Sequence, residues 1–398
     1  MKLMTRFTLF VLLFTLIAGA QLVFTEQASS AAFTPGDLVV YRVGDGTLGS
    51  SGTSIAIFLD EFTTSGTLVQ SIAVPTTGAN MMTASMTAKS EGLITLSADG
   101  NYLMFTGYSA STGVSGIASS AASQYPRAVA RIDASGNIAT RSLGTTTFSG
   151  NNIRSSTSSN GSDVWVSGVA DNNNLGGVFY LSFSGTGETQ LATTPNDSRQ
   201  VAIYNGQLYI STDKSSFKGV DTVGIGLPTA SGQTVTRLAG LTNTIDPSDY
   251  GFFMADLNPN VAGLDTLYIA DDDSGTNGGL KKFSFNGTTW TANGIAGSAT
   301  DSYRGLTGSV SGTTVTLYAT RNGGTGVSGG GELVSLVDSS GYNGTLSGTP
   351  TLLHSAVTNT AFRGVAFVPV PEPSTIIVLI TGFFAGLGYL RMRRKHNG

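Results

Sequence analysis

Four arginines recur at one place in this chain. Arg154, Arg199, Arg304 and Arg363 fall in a column with Glu91 and Tyr250, at intervals of 63, 45, 51, 54 and 59 residues. Each sits in a short segment of one type: Ser90-Glu91-Gly92-Leu93, Ile153-Arg154-Ser155-Ser156, Ser198-Arg199-Gln200-Val201, Asp249-Tyr250-Gly251-Phe252, Tyr303-Arg304-Gly305-Leu306 and Phe362-Arg363-Gly364-Val365. A guanidinium offers a planar fork of donors suited to carboxylate or sulfate. Four like charges brought together repel unless counter-charges accompany them. Two outcomes follow. Either the column forms a weak site for an anionic glycan or small carboxylate, or each arginine turns aside to carbonyls or to Glu91, Asp197, Asp249 or Asp301.

Other residues able to do chemistry are few. Asp271-Asp272-Asp273-Ser274-Gly275-Thr276-Asn277-Gly278 is the densest acidic cluster, and oxygen ligands at alternate positions suit calcium. Its ligands would be Asp271, Asp273 and Asn277. The alternative is a solvated turn, because the twelfth position from Asp271 is Lys282 and the glycine is displaced from its EF-hand place. Asp60 and Glu61 are adjacent and so point to opposite faces of a strand, which excludes them as a catalytic pair. Glycoside hydrolysis needs two carboxylates flanking one bond; Asp249, Asp256 and Glu91 are the candidates that could meet near a common axis. Histidine occurs twice, at His354 and His396, and no Gly-x-Ser-x-Gly elbow accompanies either. His354 therefore reads as a surface or satisfied loop histidine, and no catalytic residue is assigned. The glycine-rich stretch 323–331 lacks the Lys-Ser/Thr of a phosphate loop and reads as a connector.

Composition narrows the classes further. There is no cysteine, which excludes thiol chemistry and cysteine-ligated zinc and leaves burial alone to hold the fold. Setting aside Lys2, Arg6, Glu26 and the four basic residues near the carboxyl end leaves 15 basic and 24 acidic side chains, a net charge of −9. That balance argues against nucleic acid. Polarity comes mostly from Ser, Thr, Asn and Gly, which suits hydrogen bonding to neutral partners.

The elements that position the column are strands repeating about every 50 residues. Asn101–Gly107, Asp163–Gly168, Gln207–Ser211, Thr266–Asp271 and Thr316–Thr320 each carry a large residue at the centre, giving a second column of Met104, Trp165, Tyr209, Tyr268 and Tyr318. Six hairpins carry turn sequences that permit positive φ: Ser65-Gly66, Ser135-Gly136, Gly185-Thr186-Gly187, Ser231-Gly232, Asn286-Gly287 and Ser340-Gly341. The first strand, 37–43, has its hairpin but no opening strand; the last opening strand, 361–368, has no hairpin. Joining them closes a ring and removes exposed edges. The pattern predicts an all-β propeller over 33–368, six blades of four strands. Seven blades is the alternative count, because the 91-to-154 unit is long, although its segment 109–124 reads as a loop. A β-helix or a pair of sandwiches is the alternative architecture.

The two ends speak of destination. Lys2 and Arg6 precede the apolar stretch Phe7–Ala18, as in a signal peptide, with small-residue cleavage sites at Ala18-Gly19-Ala20 and Ser30-Ala31-Ala32. The later site is preferred, giving residues 1–32, because Phe33-Thr34-Pro35-Gly36 reads as the start of a domain. At the other end Pro371-Glu372-Pro373 leads into the uncharged run 375–390, roughly 25 Å long as a helix, enough to cross a bilayer core. Arg391, Arg393, Arg394 and Lys395 follow and would hold that end in the cytoplasm. Pro-Glu-Pro, one span and an arginine-rich end resemble the PEP-CTERM sorting signal of Gram-negative bacteria, over residues 369–398. The resemblance implies recognition and processing of the tripeptide by an exosortase, after export through the Sec machinery and signal peptidase. It also implies a membrane-anchored precursor that ends in the cell envelope, at the outer surface or in the extracellular matrix of an exopolysaccharide-making organism. The expected activity is structural or ligand-binding, with polysaccharide as the specific ligand class and no cofactor unless calcium binds. An extracellular enzyme acting on glycans is the rival reading.

Overall fold

The structure is a computed structural model that describes residues 31–47, 52–171, 175–241, 248–275, 277–322 and 330–370. The expected signal peptide, Pro371-Glu372-Pro373, the apolar run and Arg391, Arg393, Arg394 and Lys395 lie outside the described residues. Among the described residues no helix is long and apolar enough to cross a membrane.

Six four-stranded antiparallel sheets make a six-bladed β-propeller. From the axis outward, blade 1 is Ala361–Phe367, Leu38–Val43, Ile57–Phe62 and Leu68–Ala73. The carboxyl-side strand is thus the innermost strand of the blade that the amino-side strands build, and Val39 pairs with Ala366. Blades 2 to 6 begin at Thr95–Leu96, Ile153–Ser158, Val201–Tyr204, Asp249–Ala255 and Leu306–Ser311, and each then adds three strands in chain order. The turns with Ser-Gly and Asn-Gly join third to fourth strands in five of the blades, and Gly185-Thr186-Gly187 does so in blade 3. The 109–124 segment is a loop, as its composition predicts, wrapped on a small buried cluster of Tyr108, Ala110 and Ile117.

A blade has neighbours on both faces, so its inner strands are buried along their length: apolar Leu38 to Tyr41 are all buried, and so is the mostly polar Ile153–Ser158. Outer strands face water on their free edge, and Leu68–Ala73 buries only Ile72. The apolar core is consequently divided among the interfaces between successive blades. Met104 packs with Val166 and Phe179 between blades 2 and 3, Trp165 with Val201 and Leu208 between blades 3 and 4, and Tyr268 with Leu317 and Val334 between blades 5 and 6. The large-residue column is the wedge that each second strand drives into the next blade. Tyr209 is the exception, half-buried against its cluster. Each fully buried side chain of this size contributes about 1.5–3 kcal/mol.

His354 is satisfied, as expected, but on a strand rather than a loop. It lies on the outer strand Thr351–Ser355 of blade 6, its Nδ1 3.2 Å from the carbonyl oxygen of Gly66 and its ring 4.7 Å from that of Phe62. It seals the junction of blades 6 and 1, because the blade 1 hairpin turn reaches across to it.

Innermost strands run parallel to one another, as the Leu93–Ser155 bridge shows, so all start at one face and end at the other. The starting face also carries the described parts of the connections between second and third strands, 44–47 and 52–56, 109–126, 169–171 and 175–176, 213–218, 272–275 and 277–278, and 322 with 330–331. The chain enters and leaves at the opposite face. There Phe33 N–H donates to Ala134, Val368 N–H to Asp37 and Val370 N–H to Gly100. Deleting 361–367 should expose the edges of blades 1 and 2; light scattering should report aggregation, and thermal unfolding should lose its single cooperative step.

Candidate functional site

The six column residues stand at or just before the starts of the innermost strands and are all nearly buried, from 1% exposed for Glu91 and Arg363 to 9% for Arg154. Burying a cation is costly unless it is paired. Three of the four pairs are made across blade boundaries; the pair of Arg199 with Asp213 lies within blade 4. Arg363 Nη1 donates to Glu91 Oε1 at 2.7 Å, Arg304 Nη2 to Asp272 Oδ2 at 2.9 Å, and Arg199 Nη2 to Asp213 Oδ2 at 2.7 Å, while Arg154 pairs with Asp197. Asp272 also stands 4.0 Å from Arg199, and the Tyr250 ring lies 3.9 Å from the Arg199 guanidinium and 5.6 Å from that of Arg304. Four guanidiniums therefore meet Glu91, Asp197, Asp213 and Asp272. Of the acids the sequence suggests, Glu91 and Asp197 serve; Asp249 instead faces Lys281, and Asp301 pairs with Arg321. Asp213 and Asp272 take their places because each directly follows a second strand, whose end lies at the same face.

Glu91 is the most enclosed member. Burial raises its carboxyl above the usual range, opposed by Arg363, by the Tyr108 hydroxyl at 2.8 Å and by the Ser85 N–H at 2.5 Å. Tyr41 and Tyr108 are pushed up by the same burial and by the Glu91 charge.

Two backbone devices hold the ring tight. Glycine follows the column residue at Gly251, Gly305 and Gly364, where a Cβ would stand 2.5 Å from Arg304 O, 2.6 Å from Arg363 O and 2.4 Å from Gly92 O. No side chain fits there; the innermost strands touch backbone to backbone. Further out, a hydroxyl on the second strand bonds the column residue of the next blade: Ser167 Oγ to Arg199 O, Ser211 Oγ to Tyr250 O and Thr320 Oγ1 to Arg363 O, each at 2.5 Å. Ala270 stands at this position in blade 5, and Gly251 N–H donates to Arg304 O instead. Both devices recur in the sequence as a glycine after the column residue and a Ser or Thr two places after the wedge, but only the ring gives those positions meaning.

Beyond the charged ring, toward the other face, the six innermost strands enclose an axial cavity of about 230 Å³. Thr157, Gln200, Tyr204, Phe253 and Thr307 supply its polar and aromatic lining.

The acidic cluster is spent differently from a calcium loop. Asp271 is fully buried, pairs with Lys281 and accepts the Asp273 N–H at 2.7 Å, so an ammonium holds the place of a metal cation. Asp273 accepts the Gly275 N–H at 3.1 Å, capping its own turn. Among the described residues no three His, Cys, Asp or Glu side chains are placed to hold a metal ion. Nor do Asp249, Asp256 and Glu91 converge. Asp249 and Asp256 flank opposite ends of one innermost strand, about 23 Å apart at 3.3 Å per residue, and Asp256 is exposed. Asp60 and Glu61 do point apart, to Arg42 and to Gln70.

Asp249 and Lys281 line a cleft of about 280 Å³ between blades 4 and 5. Burial raises the Asp249 carboxyl, with Lys281 opposing and Asp271 adding to the rise. Asp221, fully buried nearby, is pushed up to about 8 by burial, opposed by Arg237 and reinforced by Asp249.

Removing the Arg363 side chain leaves Glu91 buried and uncompensated, so Arg363→Ala should lose about 3–5 kcal/mol in urea unfolding. The Asp221 carboxyl sets a pH dependence of opposite sense to a salt-bridged acid. Below about pH 4 both states keep its proton; from there to about pH 8 the unfolded chain releases it first, so stability falls as pH rises. Asp221→Asn should be more stable than the parent at pH 8.5, the difference in urea midpoint shrinking to nothing near pH 4.

No protein-family model matches the chain, and no curated protein matches it. Solved structures similar in fold include the nidogen/laminin complex (11% identity, TM-score 0.46, 83% of this chain and 97% of that one). A periplasmic gluconolactonase of Pseudomonas aeruginosa matches at 14% identity and TM-score 0.42 over 80% of this chain and 83% of its own. A Trypanosoma rangeli sialidase in complex with sialic acid matches at 9% identity and TM-score 0.40 over 73% of this chain and 53% of its own.

Proposed function

We propose that the protein is an exported cell-envelope or extracellular-matrix module, sorted by its carboxyl-terminal signal, whose propeller serves structure and the binding of extracellular polysaccharide. One observation carries this reading. Val368 and Val370, which lead to Pro371, are bonded to Asp37 and Gly100 on the face opposite the charged ring and the long connections. An exosortase acting on Pro371-Glu372-Pro373 would then work against the face that holds the chain ends. The long connections of the other face would be turned away from the membrane. The paired arginines support a structural role for the ring: each brings its own counter-charge, and together they fasten blade to blade. The hydroxyl, amide and aromatic groups of the axial cavity support binding, since such groups hydrogen-bond and stack on sugars.

Replacing Pro371-Glu372-Pro373 by three alanines should leave an unprocessed precursor in the membrane fraction of an exosortase-bearing host, whereas the parent should appear as a shortened form at the surface or in the matrix. Normal maturation of the variant would refute the sorting reading.

A further inference from the structure

We infer that the axial cavity is a binding site for one neutral sugar ring, a hexopyranose unit entered from the face where the chain ends. The inference deepens the binding half of the reading above and stands apart from the sorting half.

Enclosure and mouth come first. The cavity is walled by all six innermost strands. On the side toward the charged ring it ends against side chains that are nine-tenths or more buried. On the other side Leu96, Tyr204, Phe253 and Phe367 are half-buried and frame the opening. At about 230 Å³ it admits a single small molecule, not a folded segment or a polymer strand passing through.

Chemistry then selects the occupant. No described residue that lines the cavity is charged, so an anion or cation placed there would lose hydration without a partner. A wholly apolar guest fits no better, because the walls are not wholly apolar. Thr307 lines the cavity and is half-buried rather than sealed, so its hydroxyl is within reach of a guest's. An innermost strand is paired on one side only, so its other edge turns backbone donors and acceptors to the axis. Gln200 and Tyr204 are fixed in place by bonds to the Phe252 carbonyl, at 3.1 and 3.0 Å. The Phe253 ring lies over Gly308, where a Cβ would come within 2.8 Å of it, and meets the Tyr204 ring edge-on at 6.4 Å. A guest with apolar faces for these rings and a rim of hydroxyls for the strands is a pyranose.

The test is saturation-transfer NMR on the full chain with glucose, galactose and mannose, and with glucuronate as the charged control. At least one neutral hexose should bind, and glucuronate should bind at least tenfold more weakly. Thr307→Val keeps the shape and removes the hydroxyl; it should weaken the hexose at least fivefold while melting close to the parent. No response to any hexose, equal affinity for glucuronate, or parental affinity in Thr307→Val would overturn the site. A neutral polysaccharide retained by a protein that ignores free hexoses would sink the axial site while leaving the module reading standing.

Discussion

The ion pair between Arg363 and Glu91 joins residues 272 positions apart and is among the most deeply buried contacts of the propeller. It fastens the innermost strand of blade 1, supplied by the carboxyl side, to the start of blade 2. A buried pair gains little net energy, because desolvating two ions consumes most of their attraction unless the remaining polar atoms are bonded. Here Glu91 also accepts from Tyr108 and Ser85, and Arg363 also donates to the Ser85 carbonyl. What the pair confers is a strong penalty for any arrangement that brings one partner to the axis without the other.

Ring closure is the hinge of the energetics. Bringing together segments about 320 residues apart costs on the order of 5 kcal/mol in loop entropy. Burying Phe362 and Val365 and pairing Ala361–Phe367 with Leu38–Val43 offsets it. Because the core is divided among successive interfaces, no blade holds a complete apolar interior of its own. The glycines after the column and the Ser and Thr latches serve the same end: they let neighbouring innermost strands approach and then lock them. Function follows from closure, since the axial cavity exists only while all six innermost strands surround it.

Much of this was legible in the sequence. The intervals of the column, the turn sequences and the complementary ends were enough to place the six innermost strands, the closing one among them, because strand periodicity and turn chemistry are local properties. The partners of the arginines were less so. Glu91 and Asp197 lie in or beside the repeat segments, but Asp213 and Asp272 reach the ring from the ends of second strands, and the approach of Asp272 to Arg304 depends on which blade stands beside which. The same limit hid His354, held by a hairpin 288 residues away, and the inward turn of Asp271 toward Lys281. Convergence of Asp249 with Asp256 failed on a point the sequence did contain: six residues of strand lie between them.

The central claim is that the strand from the carboxyl side belongs to the cooperative core. Native-state hydrogen exchange read by mass spectrometry addresses it directly. Bonded amides of Ala361–Phe367 should exchange only through global unfolding, with the same protection as those of Ile153–Ser158. Exchange of Ala361–Phe367 by a separate, low-energy opening would contradict the account.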